Sequence, residues 1–507
     1  MQGLVHGRGK KRSSCVLQGR GVRIVRGSEK RLVMIPVDRT IRSCAHEARA
    51  REIPMPIDFP TRGRKPSPGA GIPSVGLSAR PGTILLSALF LAVFLLSGCA
   101  AMNGLRDGSA PLEVHPETSL ERNVFPVVKG GDVVGRLAVV RVEKGDTLPD
   151  IARHFSLGVN ALGAANPGVD MWLPKAGECV TLPLRFILPD APRKGIVINL
   201  ASMRLFHYRG DKRSPVVATY PVGVGTDERP TPTGQMRVVR KVTRPTWYVP
   251  ASIAEDHRKK GDILPPAVLP GPLNPLGEHA LYLSRSTYLI HGTNKPASIG
   301  LNATNGCLRL YPEDVKRLYE GTPVNTPVCI VDQPYLVGQR NGIVYLEVHA
   351  SAEDTDAGEL KKMYGKLKAI EKKTGRAFDR EKIDKVLAEA RGVPVPIFET
   401  EQGRWVEQTI EVRHPDKLSG RPEMPELKTG AWYVWAADLD DRTEALRLAA
   451  IINHQGPQIP ARVLSKGSGY RVVAGPFKDA GEARGAAGRL KFDLEIDGVI
   501  IEPSLGK

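Results

Sequence analysis

Residues 289–311, LIHGTNKPASIGLNATNGCLRLY, constrain the chain more than any other stretch, because they place two reactive side chains beside glycines within a short span. His291 stands in His-Gly-Thr, and Cys307 follows sixteen positions later in Asn-Gly-Cys-Leu-Arg. Gly292 and Gly306 leave room for a substrate backbone to approach both side chains. The pattern therefore predicts a folded site in which the imidazole and the thiol meet.

A histidine beside a cysteine supplies the base that a thiol nucleophile needs. The thiolate is the nucleophile, and a free thiol has a pKa of about 8.5. A nearby imidazole can take the proton and later give it to a leaving amine. The amides of Gly306 and Cys307 suit a developing oxyanion, and the guanidinium of Arg309 suits a carboxylate. One cysteine and one histidine taken alone are more often a buried thiol and an ordinary polar histidine, but the surrounding residues reverse that expectation.

The surrounding segments are IVINLASMRLFHY, YPVGVGTDERPTPTGQ, RPTWYVPASI, PGPLNPLGEHAL, LIHGTN and NGCLRLYPEDV. In this order, over residues 195–332, they resemble the L,D-transpeptidase catalytic domain, the YkuD-like family of bacterial cell-wall enzymes, and especially its periplasmic branch that attaches lipoprotein to peptidoglycan. The resemblance implies a mainly-β catalytic domain over 195–333. In it Cys307 is the nucleophile, His291 is the base and the Gly292 carbonyl orients the ring. It implies no metal and no organic cofactor.

The residues before the cysteine depart from the family pattern. Most members have Ser-His-Gly-Cys, whereas this chain has Thr304-Asn305-Gly306-Cys307, so the auxiliary role of the second histidine does not carry over. We predict that Thr304, Asn305 and Arg309 bind substrate and that Gly306 supplies an oxyanion amide. The departure leaves open a non-catalytic peptidoglycan-binding lipoprotein. An L,D-carboxypeptidase or amidase that uses the same cysteine is a further alternative.

Length and charge bound the organisation. A chain of 507 residues has room for about three domains. The net charge is +18, but residues 1–82 alone hold 17 basic and 5 acidic side chains, a net +12. The basic excess therefore lies mostly in an N-terminal extension, and we expect no nucleic-acid partner. This extension shows no periodicity and is predicted to be disordered or to precede the true start, for which Met55 is a candidate.

Residues 83–99 have the features of a lipoprotein signal peptide. The apolar run at 83–96 is uncharged and shorter than the roughly 20 residues that a membrane span needs. The following Leu-Ser-Gly-Cys resembles a lipobox, which implies lipidation at Cys99. An uncleaved anchor helix is the alternative. Ala100 gives no inner-membrane retention signal, so we predict a periplasmic protein anchored to the outer membrane of a diderm bacterium, with a tether over 100–136.

Three of the six cysteines remain beyond this anchor: Cys179, Cys307 and Cys329. Cys179 and Cys329 stand in short apolar runs and are predicted to be buried strand residues. The spacing indicates neither a disulfide framework nor a metal site.

Residues 137–184 predict a small β-α-α-β module. Thr147, with Asp150 three positions later, is typical of a helix start. Gly-Asp-Thr-Leu, Ala-Asn-Pro and the closing Leu-Pro resemble a LysM module. The resemblance implies binding of N-acetylglucosamine-containing glycan through loops at 145–148 and 166–169. A spacer that packs on the catalytic domain is the alternative.

Two stretches after residue 230 are predicted to lie around the site. The turn at 231–234 is placed beside the active site by the resemblance. Trp247, Tyr248 and the Pro/Gly-dense residues 263–277 predict a long loop, and loops of that length are usually functional. We expect the aromatic side chains to pack rather than to contact substrate, with a lid over Cys307 as the alternative.

The chain after residue 333 changes to a helical pattern. Apolar residues at helical spacing predict two amphipathic helices over 355–392 that serve as a solvated spacer. Residues 393–428 are predicted to be a proline-containing linker.

Residues 429–505 predict the order β-α-β-β-α-β, a small antiparallel sheet with two helices on one face. Tyr-Arg-Val-Val-Ala-Gly-Pro-Phe at 470–477 resembles the signature of SPOR domains, which bind glycan strands stripped of stem peptides. The resemblance implies an α+β, ferredoxin-like domain. Tyr433, Trp435 and Arg471 are candidates for its glycan-binding face, and ordinary sheet packing is the alternative.

Together these parts predict a multidomain cell-wall enzyme whose partners are peptidoglycan glycan strands and stem peptides. By resemblance, Cys307 forms a thioester with a tetrapeptide stem and releases D-alanine. The acyl group then passes to a diaminopimelate amine or to a lysine of a wall-anchored lipoprotein. The membrane is reached through Cys99.

Overall fold

The computed structural model describes the chain over these ranges: residues 114–116, 120, 122–210, 213–259, 261–350, 356–398 and 409–503. The extension at 1–82, the signal peptide at 83–99 and its Cys99 lie outside them. Within the described ranges, no helix combines the length and the apolar character that a membrane crossing requires.

The first module covers residues 137–184 and follows three short strands. The elements up to residue 187 are β1 (Val114–His115), β2 (Val124–Pro126), β3 (Val133–Gly135), β4 (Ala138–Arg141), α1 (Leu148–His154), α2 (Val159–Ala165), β5 (Cys179–Leu182) and β6 (Arg185–Ile187). Strands β4 and β5 pair in antiparallel fashion. The amide of Asp150 donates to Thr147 Oγ1 at the start of α1. The predicted β-α-α-β arrangement and its helix cap are thus observed.

The sheet of the first module gains strands from distant parts of the chain. Residues 410–412 pair in parallel with β4, and β1 pairs in parallel with residues 411–412. Strand β2 joins the central domain by pairing with residues 216–218. Strands β1 and β2 therefore come from the predicted tether, and residues 410–412 come from the predicted linker. The edges of neighbouring sheets satisfy the backbone hydrogen bonds of these short strands.

The central domain covers residues 195–333. Its elements are β7 (Gly195–Asn199), β8 (Arg204–Arg209), β9 (Val216–Pro221), β10 (Val224–Gly225), β11 (Gly234–Thr243), β12 (Trp247–Tyr248), α3 (Ala251–Lys259), β13 (Ala267–Val268), β14 (His279–Leu283), β15 (Leu289–His291), β16 (Asn302–Thr304), β17 (Leu308–Arg309), α4 (Pro312–Glu320) and β18 (Pro327–Val331). The main sheet has the order β17-β15-β14-β11-β18-β7-β8-β9-β2. The core of this domain is built mainly from the side chains of its strands, among which Ile196, Ile198, Leu205 and Leu281 are fully buried.

The first module packs directly on the central domain. Arg153 at the end of α1 forms two hydrogen bonds to the carboxylate of Glu313, at 2.9 and 3.0 Å. The buried Tyr311 hydroxyl donates to the carbonyl of Leu157 at 3.0 Å. A two-point guanidinium contact with a buried hydroxyl beside it fixes the orientation of the module.

Residues 335–398 form a small α+β domain where the sequence predicted only a helical spacer. Its elements are β19 (Tyr335–Arg340), β20 (Ile343–Val348), α5 (Asp356–Thr374), α6 (Arg380–Glu389) and β21 (Val395–Pro396). The strands pair in the order β19-β20-β21. Leu346, Leu367 and Ile383 are buried in its core. The helices cover a sheet, so their apolar faces are not solvated.

The hairpin of this domain carries a turn signal in its sequence. Asn341 and Gly342 both have positive φ, 53° and 78°, between two antiparallel strands that each contain a run of buried residues. An Asn-Gly pair between two strand-forming runs is a strong hairpin signal, which the helical interpretation of this region overlooked.

The C-terminal domain covers residues 429–503 of the described chain. The last elements are β22 (Ile410–Val412), β23 (Trp432–Leu439), α7 (Arg442–Asn453), β24 (Ala461–Lys466), β25 (Gly469–Phe477), α8 (Ala480–Leu494) and β26 (Val499–Ile501). The sheet order is β24-β25-β23-β26. Small buried side chains such as Ala445, Ala449 and Ala483 bring both helices onto one face. The predicted β-α-β-β-α-β order is observed.

Helix α7 lies against the first module. Arg447 pairs with Asp170 at 2.7 Å, and His454 Nε2 lies 3.1 Å from Asp150 Oδ1. The ring of Trp172 lies 5.3 Å from that of His454. These contacts join the C-terminal domain to the start of α1 and to the loop after α2.

Helix α8 lies against the central domain. Lys295 Nζ pairs with Asp493 Oδ1 at 2.7 Å. The rings of His257 on α3 and Phe492 are stacked, with centroids 4.6 Å apart. The C-terminal domain therefore contacts the first module as well as the central domain.

The two remaining cysteines differ in exposure. Cys329 is buried, and its Sγ accepts a hydrogen bond from Gln235 Nε2 at 3.0 Å. Cys179 is exposed, so its predicted burial is wrong. It begins β5 at the edge of the sheet, and the alternation of that strand buries Val180 and Leu182 instead.

Candidate active site

The register of two neighbouring strands closes the sixteen-residue gap between the predicted reactive side chains. Strands β15 and β17 are parallel, with Ile290 opposite Leu308 and His291 opposite Arg309. Ile290 and Leu308 are fully buried in the core. Because side chains alternate along a strand, His291 and Arg309 face the other side, and Cys307, just before β17, has the same parity. The sheet therefore brings the three polar side chains to one face.

His291 is a buried, uncharged imidazole. Its side chain is 4 % exposed, and Nδ1 lies 2.6 Å from the carbonyl oxygen of Gly292. A carbonyl only accepts, so Nδ1 carries the proton in this contact and Nε2 is the unprotonated nitrogen of the neutral ring. Burial, with the charge of Arg309 as a further cause, lowers the pKa of His291 from 6.5 to about 3. Near neutral pH the ring is therefore uncharged.

Cys307 is half-buried, and its sulfur lies against the backbone of the preceding hairpin. Sγ is 3.7 Å from the carbonyl oxygen of Thr287. Burial raises the pKa of the thiol, while the backbone amide of Leu289 and the charge of Arg309 oppose this rise. The group is a thiol rather than a thiolate at neutral pH, so it needs a base at the moment of attack.

The turn before the cysteine is held from within by a hydroxyl. Thr304 is buried, and its Oγ1 donates to the carbonyl oxygen of Cys307 at 2.6 Å. The amide of Gly306 donates to the same Oγ1 at 3.1 Å. Both contacts differ from the predictions. The Thr304 hydroxyl braces the turn instead of facing substrate, and the Gly306 amide is already engaged and is not free for an oxyanion.

Gly306 is needed at its position for two independent reasons. Its φ is +95°, a conformation that side chains with a Cβ rarely adopt. A Cβ there would also lie 2.8 Å from the Tyr288 ring. A larger residue would displace the turn that carries Cys307.

Thr231 is a second brace, whose role the sequence did not reveal. Its buried Oγ1 donates to the carbonyl oxygen of Gly306 at 3.0 Å and accepts from the amide of Gly225 at 3.0 Å. The resemblance predicts that the turn at 231–234 lies beside the site. Its hydroxyl ties that turn to the residue before Cys307.

Arg309 is half-buried and stands opposite His291 in the strand register. Its Nε is buried and has no hydrogen-bond partner among the residues that the structure describes. Burial lowers the pKa of the guanidinium. A buried donor left unpaired costs about 1–3 kcal/mol, and a carboxylate that arrives with a substrate would remove this cost. The predicted role of Arg309 fits this environment.

Asn305 is exposed and is held by a residue that the sequence did not single out. Its Oδ1 accepts from Arg229 Nη1 at 2.7 Å, and Arg229 Nη2 donates to Asp256 Oδ2 at 2.5 Å. The only sequence signal for Arg229 is its place just before the turn at 231–234.

The cover segment, residues 245–277, contains a short strand pair and a helix. Strands β12 and β13 pair in antiparallel fashion, and none of the residues of α3 is buried. Tyr248 is 78 % exposed and Leu269 is 72 % exposed. The expectation that Tyr248 packs in the domain is therefore wrong. Asn274 is fully buried and anchors the end of the segment through three backbone carbonyls.

One of the two loops predicted to bind glycan in the first module, 145–148, is covered by later parts of the chain, whereas Pro167 and Gly168 in the other loop are exposed. Asp146, in the loop 145–148, is buried and lies 3.0 Å from His414 Nε2 and 3.5 Å from Arg421 Nη1. The neighbouring Thr147 Oγ1 lies 3.2 Å from His454 Nε2. A glycan that uses this surface must displace some of these contacts.

The candidate face of the C-terminal sheet carries stacked and paired side chains. The Arg471 guanidinium lies 4.2 Å from the centroid of the Trp435 ring and donates twice to Asp438, at 2.7 and 2.9 Å. These contacts hold the pKa of Asp438 at about 2. The Tyr433 hydroxyl is hydrogen-bonded to the backbone of Lys428, so it is less available to a ligand than the other two candidates.

Among the residues that the structure describes, no group of three His, Cys, Asp or Glu side chains is arranged to hold a metal ion.

Comparison of the sequence with known proteins finds matches for two of the domains and finds related proteins. Residues 193–330 match the model of the YkuD family, the L,D-transpeptidase catalytic domain, and residues 428–502 match the SPOR domain. The probable L,D-transpeptidase YbiS of Escherichia coli (strain K12) is 37% identical over 274 residues, 52% of this chain and 89% of that protein. The probable L,D-transpeptidase ErfK/SrfK of the same strain is 41% identical over 225 residues, 44% of this chain and 72% of that protein.

The central fold and these matches define a multidomain, cell-wall-associated enzyme with a mainly-β catalytic domain and a C-terminal SPOR domain. The chain belongs to the L,D-transpeptidase family. The function predicted from the sequence, a cell-wall L,D-transpeptidase, is confirmed at this level.

Proposed function

We propose that Cys307 is the nucleophile of this transpeptidase and that His291 is its general base. The observation that carries the proposal is the parallel register of β15 and β17, which gives both side chains the same face. The hydrogen bond from Nδ1 to Gly292 leaves Nε2 as the basic nitrogen. Since burial keeps both the thiol and the imidazole neutral, the proton moves from sulfur to Nε2 as the sulfur attacks.

The acyl donor is a tetrapeptide stem of peptidoglycan. Cys307 Sγ bonds to the carbonyl carbon at the L-centre of diaminopimelate, and its proton passes to His291. The tetrahedral intermediate collapses, the bond to the terminal D-alanine breaks, and His291 returns the proton to the leaving amine. The side-chain amine of another diaminopimelate, or a lysine of a wall-anchored lipoprotein, then attacks the thioester and releases the thiol.

The amide of Cys307 is the proposed oxyanion donor. The amide of Gly306 was expected to share this role, but it donates to Thr304 Oγ1. A preorganised amide beside the reacting carbon stabilises the developing negative charge without reorganisation.

Arg309 is the proposed receptor for a stem carboxylate. Its unpaired Nε and its place opposite His291 support this role. A guanidinium offers a planar pair of donors that matches a carboxylate. Asn305 stands at the rim, where its amide nitrogen remains available to the stem while its oxygen accepts from Arg229.

The flanking domains would hold the enzyme on glycan. We assign the first module to the LysM type, with binding through the loops at 145–148 and 166–169, on the strength of its β-α-α-β fold and its loop sequences. In the SPOR domain, the Trp435 ring and the Arg471 guanidinium form a platform on the open sheet face. Stacking of sugar on an aromatic ring suits such a platform.

The proposed location is the periplasm, with an outer-membrane anchor through lipidated Cys99. The Leu-Ser-Gly-Cys sequence and the apolar run before it support this location.

Incubation of the mature protein with purified sacculi tests the reaction. New 3-3 crosslinked or protein-linked stems that disappear in Cys307→Ala support transfer. Shortened stems without new links indicate hydrolysis by the same cysteine. The absence of any cysteine-dependent change leaves only a wall-binding lipoprotein and refutes the proposal.

A further inference from the structure

One guanidinium links the turn that carries Cys307 to a surface helix. Arg229 donates to Asn305 Oδ1 at 2.7 Å from Nη1 and to Asp256 Oδ2 at 2.5 Å from Nη2. Asn305 stands two residues before Cys307, and Asp256 stands on α3 of the cover segment. The fork of Arg229 therefore bridges the reactive turn and the cover.

Helix α3 depends on polar contacts for its position. None of its residues is buried, so apolar packing does little to fix it. Glu255 and Arg258 pair with each other along the helix. The ring of His257 stacks on Phe492 of the C-terminal domain. On the central domain, Arg229 holds the helix through Asp256.

The backbone around Arg229 already contacts the same turn. A Cβ placed on Gly306 would lie 3.3 Å from the Pro230 carbonyl oxygen and 3.6 Å from that of Arg229. Thr231 Oγ1 donates to the Gly306 carbonyl. Because the main chain beside Arg229 is braced in this way, a shift of its side chain reaches Asn305 instead of being absorbed by the loop.

We infer that Arg229 is a positioning residue that couples the cover helix α3 to the orientation of Cys307 through Asn305. Movement of the cover onto a bound stem pulls on Asp256, and the guanidinium passes this movement to the turn, which sets the sulfur for attack. Asn305 supplies the acceptor at the position where most family members have a histidine. The inference rests on the proposed role of Cys307.

Acylation of Cys307 by a carbapenem, followed by mass spectrometry at several drug concentrations, separates binding from the covalent step. Arg229→Ala is expected to lower the limiting rate about tenfold, since small misplacements of reacting groups are costly, with little change in the half-saturating concentration. Asn305→Ala should give a similar loss, and the double variant no further loss, because the two residues act as one unit. Arg229→Lys should recover part of the rate. Arg258→Ala, on the same helix, is the matched control and should leave the rate unchanged.

Hydrogen exchange of the α3 amides gives a readout that does not depend on catalysis, and thermal unfolding checks that each variant is folded. Arg229→Ala and Asp256→Asn should both accelerate this exchange. The inference is overturned if Arg229→Ala shows acylation and exchange rates that both lie within twofold of those of the unmodified chain. Additive losses in the double variant also overturn it. If the unmodified chain forms no Cys307 adduct, the proposed function fails, while the exchange result still decides whether Arg229 holds the helix.

Discussion

The hydroxyl of Thr304 donates to the carbonyl oxygen of Cys307 at 2.6 Å, and so closes the turn that presents the thiol. Thr304 Oγ1 in turn accepts a hydrogen bond from the amide of Gly306. One buried side chain thus satisfies two backbone groups that would otherwise lack partners. The geometry of the sulfur depends on this hydroxyl as well as on the strand that follows.

Thr304→Val tests this dependence, because valine keeps the shape and removes the hydroxyl. Two backbone groups lose their partner in a buried turn, and we expect a loss of about 1–3 kcal/mol in the free energy of unfolding. The rate of carbapenem acylation should fall with it. Denaturant unfolding measures the first effect and mass spectrometry the second. Thr304→Ser, which retains the hydroxyl, should stay close to the unmodified chain in both.

The pH dependence of acylation should reflect a histidine that remains neutral well below its ordinary range. The pKa of His291 falls from 6.5 to about 3 on folding, so protonation removes the base only in strong acid. We expect the acylation rate to change less than about threefold between about pH 5 and pH 8. A tenfold fall with a midpoint near 6.5 would show that the ring is solvated in the working enzyme.

The lowered pKa of His291 also makes the stability of the folded chain depend on pH. Because the folded pKa of His291 lies below the unfolded value, its contribution to stability is fully present above pH 6.5 and is lost as the pH falls toward 3. His207 behaves alike, since burial lowers its pKa to about 4. Denaturant unfolding at a series of pH values should show stability that declines below 6.5, with a shallower decline in His207→Gln.

Arg309→Lys tests the carboxylate receptor. Lysine keeps the charge but lacks the planar pair of donors, so we expect the half-saturating concentration of a tetrapeptide donor to rise about tenfold, equivalent to about 1.4 kcal/mol. The maximal rate should change much less. A donor whose stem carboxylates are amidated is the control, and its kinetics should respond little to the substitution. Equal losses for both donors would contradict a carboxylate contact.

Much of this arrangement was predictable from the sequence, and the exceptions have physical reasons. Motifs around His291 and Cys307 identified the site, because the chemistry needs those side chains beside glycines. Strands of two or three residues, such as β22, were not predicted, since they are too short to show periodicity and form only against an existing edge. Arg229 was missed for a related reason: a polar residue in a turn shows its partners only in the folded chain.

The contact between α7 and the first module predicts that glycan binding by that module is restrained in the intact chain. Arg447 pairs with Asp170 beside the loop 166–169. Arg447→Glu replaces attraction by repulsion and should loosen this contact, so the affinity of the full chain for an N-acetylglucosamine oligosaccharide should rise several-fold when measured by calorimetry. Arg442→Glu makes the same charge change at an exposed position of the same helix and should have no such effect. If small-angle scattering shows an opened chain and the affinity is unchanged, the loops at 145–148 and 166–169 are not the glycan site. A competing contact lowers the affinity only at the surface that it occupies.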